Sequence, residues 1–409
     1  MVRAAFEYSP HPMRFIHTAD WHLGRLFHGV HLTDDQRHVL AQLVTLAREA
    51  RADALIVAGD VYDRAVPPPE AVSLLDEVLT RLVLDERIPV IVIAGNHDGP
   101  DRLAFGSRIL AERGLHVLGV PDAAPQPIRL ADAWGTVEVF AAPFADPATF
   151  RAQLGRDDLH DHDAALGAWV ERARVAADPA ARPVLVGHAF VRGGAESESE
   201  RPLSVGGAGA VDVARLDGFA YVALGHLHRP QALRADGAIA YAGSLLKYSF
   251  SEVDHPKSVS VVEIDARGRA SIERVALTPR RDVRILEGHL DELTRGRTAA
   301  GPVAGSRDDY FRVRLLDSGP LLDPIGKLRQ VFPNVLELER PLDRTTTPAA
   351  GSVAPADRRQ LGDVELFEAF VREITGDALS DAQRELLRDV LVEVERAESE
   401  GDAEAVGAS

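Results

Sequence analysis

Cysteine is absent from the 409-residue chain. That excludes disulfides, thiolate nucleophiles, iron–sulfur clusters and Cys-bound zinc, so any metal must be held by His, Asp, Glu or Asn. Lysine is nearly absent, occurring only at positions 247, 257 and 327, so that arginine supplies 43 of the 46 basic charges. Arginine suits bidentate phosphate contacts, but a chain rich in Ala and Gly acquires that bias without any ligand. Long apolar runs are missing: the longest, Ile88 to Gly95, falls far short of the roughly 20 residues that cross a bilayer. The opening MVRAAFEYSPHP has no apolar export core, which leads to the expectation of a cytoplasmic protein with no membrane partner. An excess of positive charge is missing as well. With 46 basic against 63 acidic residues the formal charge is −17, which argues against nucleic acid, where Lys and Arg supply most of the affinity. Net charge, however, governs long-range association and not the chemistry of one cleft.

What is present is globular: 45% hydrophobic and 27% charged residues over a length that suits two or three domains. From Met13 to about Val275, short apolar runs alternate with segments of helical spacing. The runs are Arg14–Thr18, Ala54–Ala58, Pro89–Ala94, Pro183–Val186, Ala220–Leu224 and Ala238–Ala242; Asp34–Ala50 and Pro69–Leu84 read as helices between them. That alternation indicates an α/β domain over 13–275 after an extension at 1–12. Residues 276–344 read as a smaller α+β domain, with strand-like DVRILEGHL, YFRVRLL and VLELER around a helix near Gly326 to Val331. TTTPAAGSVAPA, residues 345–356, has linker composition. Two amphipathic helices follow within 357–396, carrying Leu366, Phe367, Phe370, Val371 and Ile374, then Leu386, Leu387, Val390, Leu391 and Val394. Gly376 is a plausible stop for the first, and Ser380 with Gln383 a capping-box start for the second. Residues 397–409 read as disordered.

Ligands collect at the C-terminal ends of strands in α/β sheets. Five of the six runs stop at a His, Asp or Asn: HTADWHLG, VAGDVYDR, IAGNHDGP, VGHAFVRG and LGHLHRP. Asp20 and His22 are two apart, so an extended backbone turns both to one face. Asp60, Asn96 with His97, His188, and His226 with His228 follow glycines that let the backbone bend toward an ion. Two carboxylates, one amide and four imidazoles suffice for two divalent cations if Asp60 bridges them. Two such ions hold the attacking and leaving oxygens of a phosphoryl displacement, and this donor mixture fits Mn, Fe or Zn better than Mg.

The series DxH, GD, GNHD, GH, GHxH resembles the calcineurin-like metallophosphoesterase superfamily. TADWHLG, GDVYDR, ERPLSVGGAGAV and KYSFSEVDHPKSV are similar, more narrowly, to the SbcD family of bacterial nuclease subunits. The resemblance implies a four-layer α/β/β/α sandwich with an α+β cap and a C-terminal helical pair. It further implies two Mn ions, and 3′–5′ exonuclease and endonuclease activity on DNA ends, hairpins and single strands in repair and recombination. It implies as partners an SbcC-type ATPase and a second copy of the chain within a heterotetramer. By motif position Asp20, His22, Asp60 and His228 would hold one ion, and Asp60, Asn96, His188 and His226 the other. His97 would meet the leaving oxygen or the scissile phosphate, with Asp63 orienting it; in the mechanism expected here, His97 protonates the departing 3′ oxygen.

No GxxxxGK[ST] occurs, so any ATP dependence must come from a partner, for which the C-terminal helices are the candidate dock. Arg25, His28 and His31, just after the first metal motif, are the candidate DNA-phosphate contacts. The HDHD cluster His160–Asp163 mimics a metal site but precedes a helical stretch without a strand or Gly, and reads as a solvated loop. The rivals are a phosphoesterase acting on nucleotides or phosphoproteins, and a non-enzymatic scaffold. Over half of the −17 lies in residues 357–409, with 15 acidic and 6 basic side chains. The expectation is weak, metal-dependent DNA affinity, with much of the grip supplied by the partner.

Overall fold

Six stretches legible in the sequence become the three central, mutually parallel strands of one six-stranded sheet and three adjoining parallel strands of another, six of the eight inner strands. The structure, a computed structural model, describes residues 11–200, 209–340, 363–375 and 378–391. The extension over 1–10, the linker, the Gly376 stop and the tail from 397 lie outside the described residues. The first sheet is built from β1 (Met13–Thr18), β2 (Ala54–Ala58), β3 (Val90–Ile93) and β4 (Leu115–Leu118), all parallel. The second takes β5 (Ile128–Asp132), β6 (Gly135–Ala142), β7 (Arg182–His188), β8 (Tyr221–Gly225), β9 (Gln231–Ala232) and β10 (Ile239–Tyr241). The chain then returns to the first sheet with β11 (Ser258–Ile264), antiparallel to β1, and β12 (Ala270–Ala276). The orders are β12-β11-β1-β2-β3-β4 and β9-β10-β8-β7-β6-β5.

The six strands that sequence reading missed flank the six it found. Inner parallel strands are covered on both faces and are apolar at successive positions. The edge strand β12, ASIERVA, is half solvated and mixes polar with apolar residues, so it carries a weaker signal.

Alternation along the inner strands builds four layers. In β2, Leu55 and Val57 pack on α1 (Thr33–Glu49) and α2 (Pro69–Thr80), through Val39, Leu40, Leu43, Leu74 and Val78. Ala54, Ile56 and Ala58 face the other way, against Val139, Val184 and Ala223 of the second sheet. The second sheet's outer face packs Phe140, Leu185 and Val222 on α3 (Pro147–Leu154) and α4 (His162–Ala176), where Trp169 is fully buried. Each large apolar side chain of this kind contributes about 1.5–3 kcal/mol on burial. The α/β/β/α sandwich expected from the resemblance is present. Helix α2 stops at Thr80 and the chain continues to Asp85 as a π-turn rather than as α-helix to Leu84.

A three-stranded sheet, β13 (Val283–Gly288), β14 (Tyr310–Leu315) and β15 (Val335–Glu339), carries the short α5 (Pro324–Arg329). Asp323 sets the start of α5 by accepting from Gly326 N at 3.1 Å, about two residues earlier than expected. The module is tied to α1 through buried Asp35, which accepts from Tyr310 Oη at 3.0 Å and Arg281 Nη1 at 3.2 Å.

The chain divides into two compact units, Met1–Arg314 with Ser318–Leu338, and Leu315–Asp317 with Glu339–Ser409. In the second, α6 (Asp363–Thr375) precedes a helix over 381–391. The capping box forms: Gln383 N donates to Ser380 Oγ at 3.3 Å and Ser380 N to Gln383 Oε1 at 2.9 Å. Among the described residues no helix is long and apolar enough to cross a membrane.

Candidate metal centre

Strands β1, β2, β3, β7 and β8 end at Thr18, Ala58, Ile93, His188 and Gly225, and the segments leaving those ends converge. Asp20 N donates to Gly59 O at 3.0 Å and His22 N to Asp60 O at 2.9 Å, locking the first two loops together. Across the sheets, His226 N donates to Asp20 Oδ1 at 2.9 Å, and within the first sheet His97 N donates to Asp60 Oδ1 at 2.9 Å. All seven residues expected as ligands, with His97, therefore meet in one place, and all but Asn96 are buried.

The backbone there is held in a conformation that L residues avoid. Asp20, His22, Asp60 and His226 have φ of 53°, 45°, 50° and 107°, half of the eight non-glycine residues with positive φ among those described. Such residues cost about 1–3 kcal/mol each and persist where function requires them. Two glycines make the close approach possible. A Cβ on Gly59 (φ +90°) would lie 2.2 Å from His188 Nδ1, and one on Gly225 only 1.8 Å from the Ala58 carbonyl.

The hydrogen bonds fix tautomers. His188 Nδ1–H donates to the Ala58 carbonyl at 2.8 Å, which leaves Nε2 bare, 3.0 Å from Asn96 Oδ1. His226 Nδ1 lies 3.1 Å from the same oxygen, while Asn96 Nδ2 is buried without a partner among the described residues. Asp60 Oδ2 stands 3.7 Å from His22 Nε2 and 3.5 Å from His188 Nε2. Three overlapping trios have donor atoms within 4.8 Å of one another: Asp20, His22 and His228; His22, Asp60 and His97; Asp60, His188 and His226. Burial, then neighbouring imidazoles, holds His22 and His226 far below the usual histidine range, and burial lowers His188 despite Asp60. Burial and then the Asp60 charge push Asp20 well above the usual carboxylate range. Bare imidazole nitrogens facing acceptors and two carboxylates crowded together are costly alone and favourable around divalent cations, so the donor set fits the expected metals.

His97 lies beside this group, with Nε2 3.9 Å from Asp60 Oδ2. Its Nδ1–H donates at 2.8 Å to the main-chain carbonyl of Asp63. The Asp63 carboxylate turns elsewhere, to Arg25 Nη1 at 3.1 Å. Arg25 also reaches the Ser199 carbonyl at 3.3 Å and sits over the Tyr248 ring. Arg25 and His28 line an open groove with Tyr248, Phe250 and Arg312; His31, exposed at the end of a short hairpin in which Leu26–Phe27 pairs with Val30–His31, is not among its lining. The HDHD cluster forms a helix cap and not a solvated loop. Asp161 accepts from Ala164 N at 2.8 Å, and Asp163 pairs with Arg215 at 2.9 Å.

Several supporting residues escaped the sequence reading. Asp98 accepts from Val61 N, Tyr62 N and Gly95 N at 3.1, 2.9 and 2.8 Å, stapling the second and third loops. Burial and then Asp60 push it up to about 7. Its signal was the last letter of GNHD. Gln36 of α1 donates to the His22 carbonyl at 2.7 Å. Behind His228, Glu200 Oε1 accepts from its backbone N at 2.7 Å, and Lys257 Nζ donates to its carbonyl at 2.8 Å. Glu252 and Lys257 form a buried ion pair. Burial would raise Glu252, yet Lys257 holds it well below the usual range. Both belong to KYSFSEVDHPKSV, so that string marked the site without revealing its roles.

The calcineurin-like phosphoesterase family model matches residues 13–230, and the model of the type 5 capsule protein repressor C-terminal domain matches residues 279–375. The SbcD component of the SbcCD nuclease of Staphylococcus epidermidis is 31% identical over 379 residues, which span 93% of this chain and 98% of its own. The chain belongs to the SbcD family of calcineurin-like phosphoesterases. Members of this family are hydrolytic phosphodiesterases, and the His and Asp clusters above are those of a divalent-metal enzyme. Two solved structures overlap more loosely. TT1561 of Thermus thermophilus is 14% identical, with a TM-score of 0.36, over 64% of this chain and 99% of its own. GAP50, the anchor in the inner membrane complex of Plasmodium, is 13% identical, with a TM-score of 0.40, over 84% and 99%.

Proposed function

We propose that the chain is the nuclease subunit of a DNA-end-processing complex, cutting phosphodiesters with two Mn ions as a 3′–5′ exonuclease on double strands and an endonuclease on single strands and hairpins. The observation that carries this reading is the crowd of imidazole nitrogens about Asp60 Oδ2, with His22, His188 and His97 Nε2 at 3.7, 3.5 and 3.9 Å. Asp20, His22, Asp60 and His228 would hold one ion, and Asp60, Asn96, His188 and His226 the other. Ions so held lower the pKa of water toward neutrality and stabilise charge on the reacting phosphate. The chain's own groups do the remaining work. Asp60 joins the two ligand sets, and Asp98 keeps its loop in register with that of Asn96. His97, held at Nδ1 by the Asp63 carbonyl, offers Nε2 as the proton source for the departing 3′ oxygen.

Arg25, His28 and His31 would meet DNA phosphates, with the 276–344 region as a DNA-binding cap over the 13–275 nuclease domain. An SbcC-type ATPase would dock on the helices of 357–396, whose Leu366, Phe367, Leu386 and Val390 are exposed. A second copy would cover the exposed apolar side chains Phe105 and Ile109, giving a homodimer within a heterotetramer in the cytoplasm, associated with the nucleoid. The test is incubation with Mn and end-labelled hairpin DNA, with and without the ATPase partner. Metal-dependent shortening and hairpin opening are expected. Cleavage of a small aryl phosphodiester with no DNA cut under either condition would favour a nucleotide or phosphoprotein substrate instead.

A further inference from the structure

Resting on the metal reading above, we infer that Ser199 is a positioning residue that fixes the tautomer of His228, so that the loop over 195–200 latches onto the metal centre. Ser199 Oγ lies 2.6 Å from His228 Nδ1 and donates its one proton to Glu252 Oε1. Glu252 is a buried carboxylate paired with Lys257 and can only accept. With its proton committed, the Ser199 oxygen must accept from His228, so the ring proton sits on Nδ1. His228 Nε2 is then bare, and it is this atom that faces His22 Nε2 at 3.0 Å beside Asp20. Without the hydroxyl, the nearest acceptor for Nδ1–H is Glu252 Oε1 at 3.5 Å, too long for a good bond.

The same loop makes a second attachment. Glu200 Oε1 accepts from His228 N at 2.7 Å, while its other oxygen accepts from Ser197 Oγ at 2.8 Å. A carboxylate–hydroxyl–imidazole chain of this kind raises ligand basicity and fixes ring orientation, and losing such partners typically lowers metal affinity by about 10- to 100-fold.

The experiment is calorimetric titration of the full chain with Mn2+, together with the visible spectrum of the Co2+-loaded protein. Ser199→Ala should weaken one of two binding events about tenfold and alter the cobalt bands, and Ser199→Thr should restore both. Ser251→Ala is the control, since it removes a loop-seating bond from Glu198 N at 3.2 Å without touching His228, and should leave affinity unchanged. Unaltered affinity and spectrum in Ser199→Ala would overturn the assignment, as would an equal loss in Ser251→Ala, which would mean that loop packing alone matters. A parent chain that binds neither ion would overturn the metal reading itself, so the two failures are distinguishable.

Discussion

The Nδ1–H of His97 is held at 2.8 Å by the main-chain carbonyl of Asp63, so a backbone atom aims the imidazole proposed as the proton source. Backbone aim makes His97 separable from metal binding. His97→Ala should retain both ions and DNA affinity while kcat falls by about 10²–10⁴, the usual worth of a positioned proton donor. Metal content by elemental analysis and single-turnover cleavage check this. Normal cleavage would remove His97 from the chemistry.

Asp63→Asn tests the other half of the same relationship. The carboxylate meets Arg25 at 3.1 Å and stands 3.7 Å from His22 Nδ1, whereas the carbonyl that holds His97 survives the substitution. The expected outcome is less than about a tenfold change in kcat and about 1 kcal/mol of stability lost with the half-buried ion pair. A loss as deep as that of His97→Ala would place the carboxylate itself in the proton path.

How far the sequence was legible follows from which physics marks each residue. Asp20, Asp60, Asn96, His188 and His226 stand at the ends of strands buried on both faces, where an apolar run broken by a polar letter is visible in one dimension. Ser199, Glu252 and Lys257 act on His228 from 24 to 29 residues away in the chain, and no local pattern joins them. Asp98 was missed because its partners are backbone N–H groups, which have no letter. Asp63 could be placed beside His97 but not resolved into carbonyl and carboxylate, since that choice is made by loop conformation. The same limit applies to flanking strands such as β12, ASIERVA, whose half-solvated mixture of polar and apolar residues is shared by exposed helices and loops.

Gly225 tests the closeness of the two sheets. A Cβ there would meet the Ala58 carbonyl at 1.8 Å and His188 Nδ1 at 2.9 Å, the two ends of the bond that orients His188. Neither partner is a flexible side-chain tip. Gly225→Ala should cost about 3 kcal/mol or more by overpacking and weaken the site that uses His188. Gly155→Ala is the comparison. That glycine has φ +63° at the end of α3 and nothing within 4 Å of its Cβ position. It should cost about 1 kcal/mol from the left-handed backbone alone, with metal affinity intact. Equal metal loss in both variants would mean that general destabilisation, and not sheet contact at Ala58, controls the site.

His17 sets an acid limit on the fold that is separate from the metals. It lies buried between the sheets, with Nδ1 2.9 Å from Tyr221 Oη and Nε2 3.2 Å from the Leu224 carbonyl. Only Nε2–H can serve the carbonyl, so Tyr221 Oη donates to Nδ1 and the ring is neutral. Burial lowers its pKa to about 3. An unfolded histidine takes up its proton near about 6.5, so between about 6.5 and 3 the unfolded chain binds one more proton than the folded one at this position. Stability must therefore rise with pH across that window and fall on acidification, by about 1.4 kcal/mol per pH unit from this group once well below about 6.5. Denaturant titrations from about pH 7 to pH 4 in chelator, which removes metal release as a competing cause, should show a slope shallower by about one proton in His17→Gln. An unchanged slope would mean that the folded protein already admits the charged ring between its sheets.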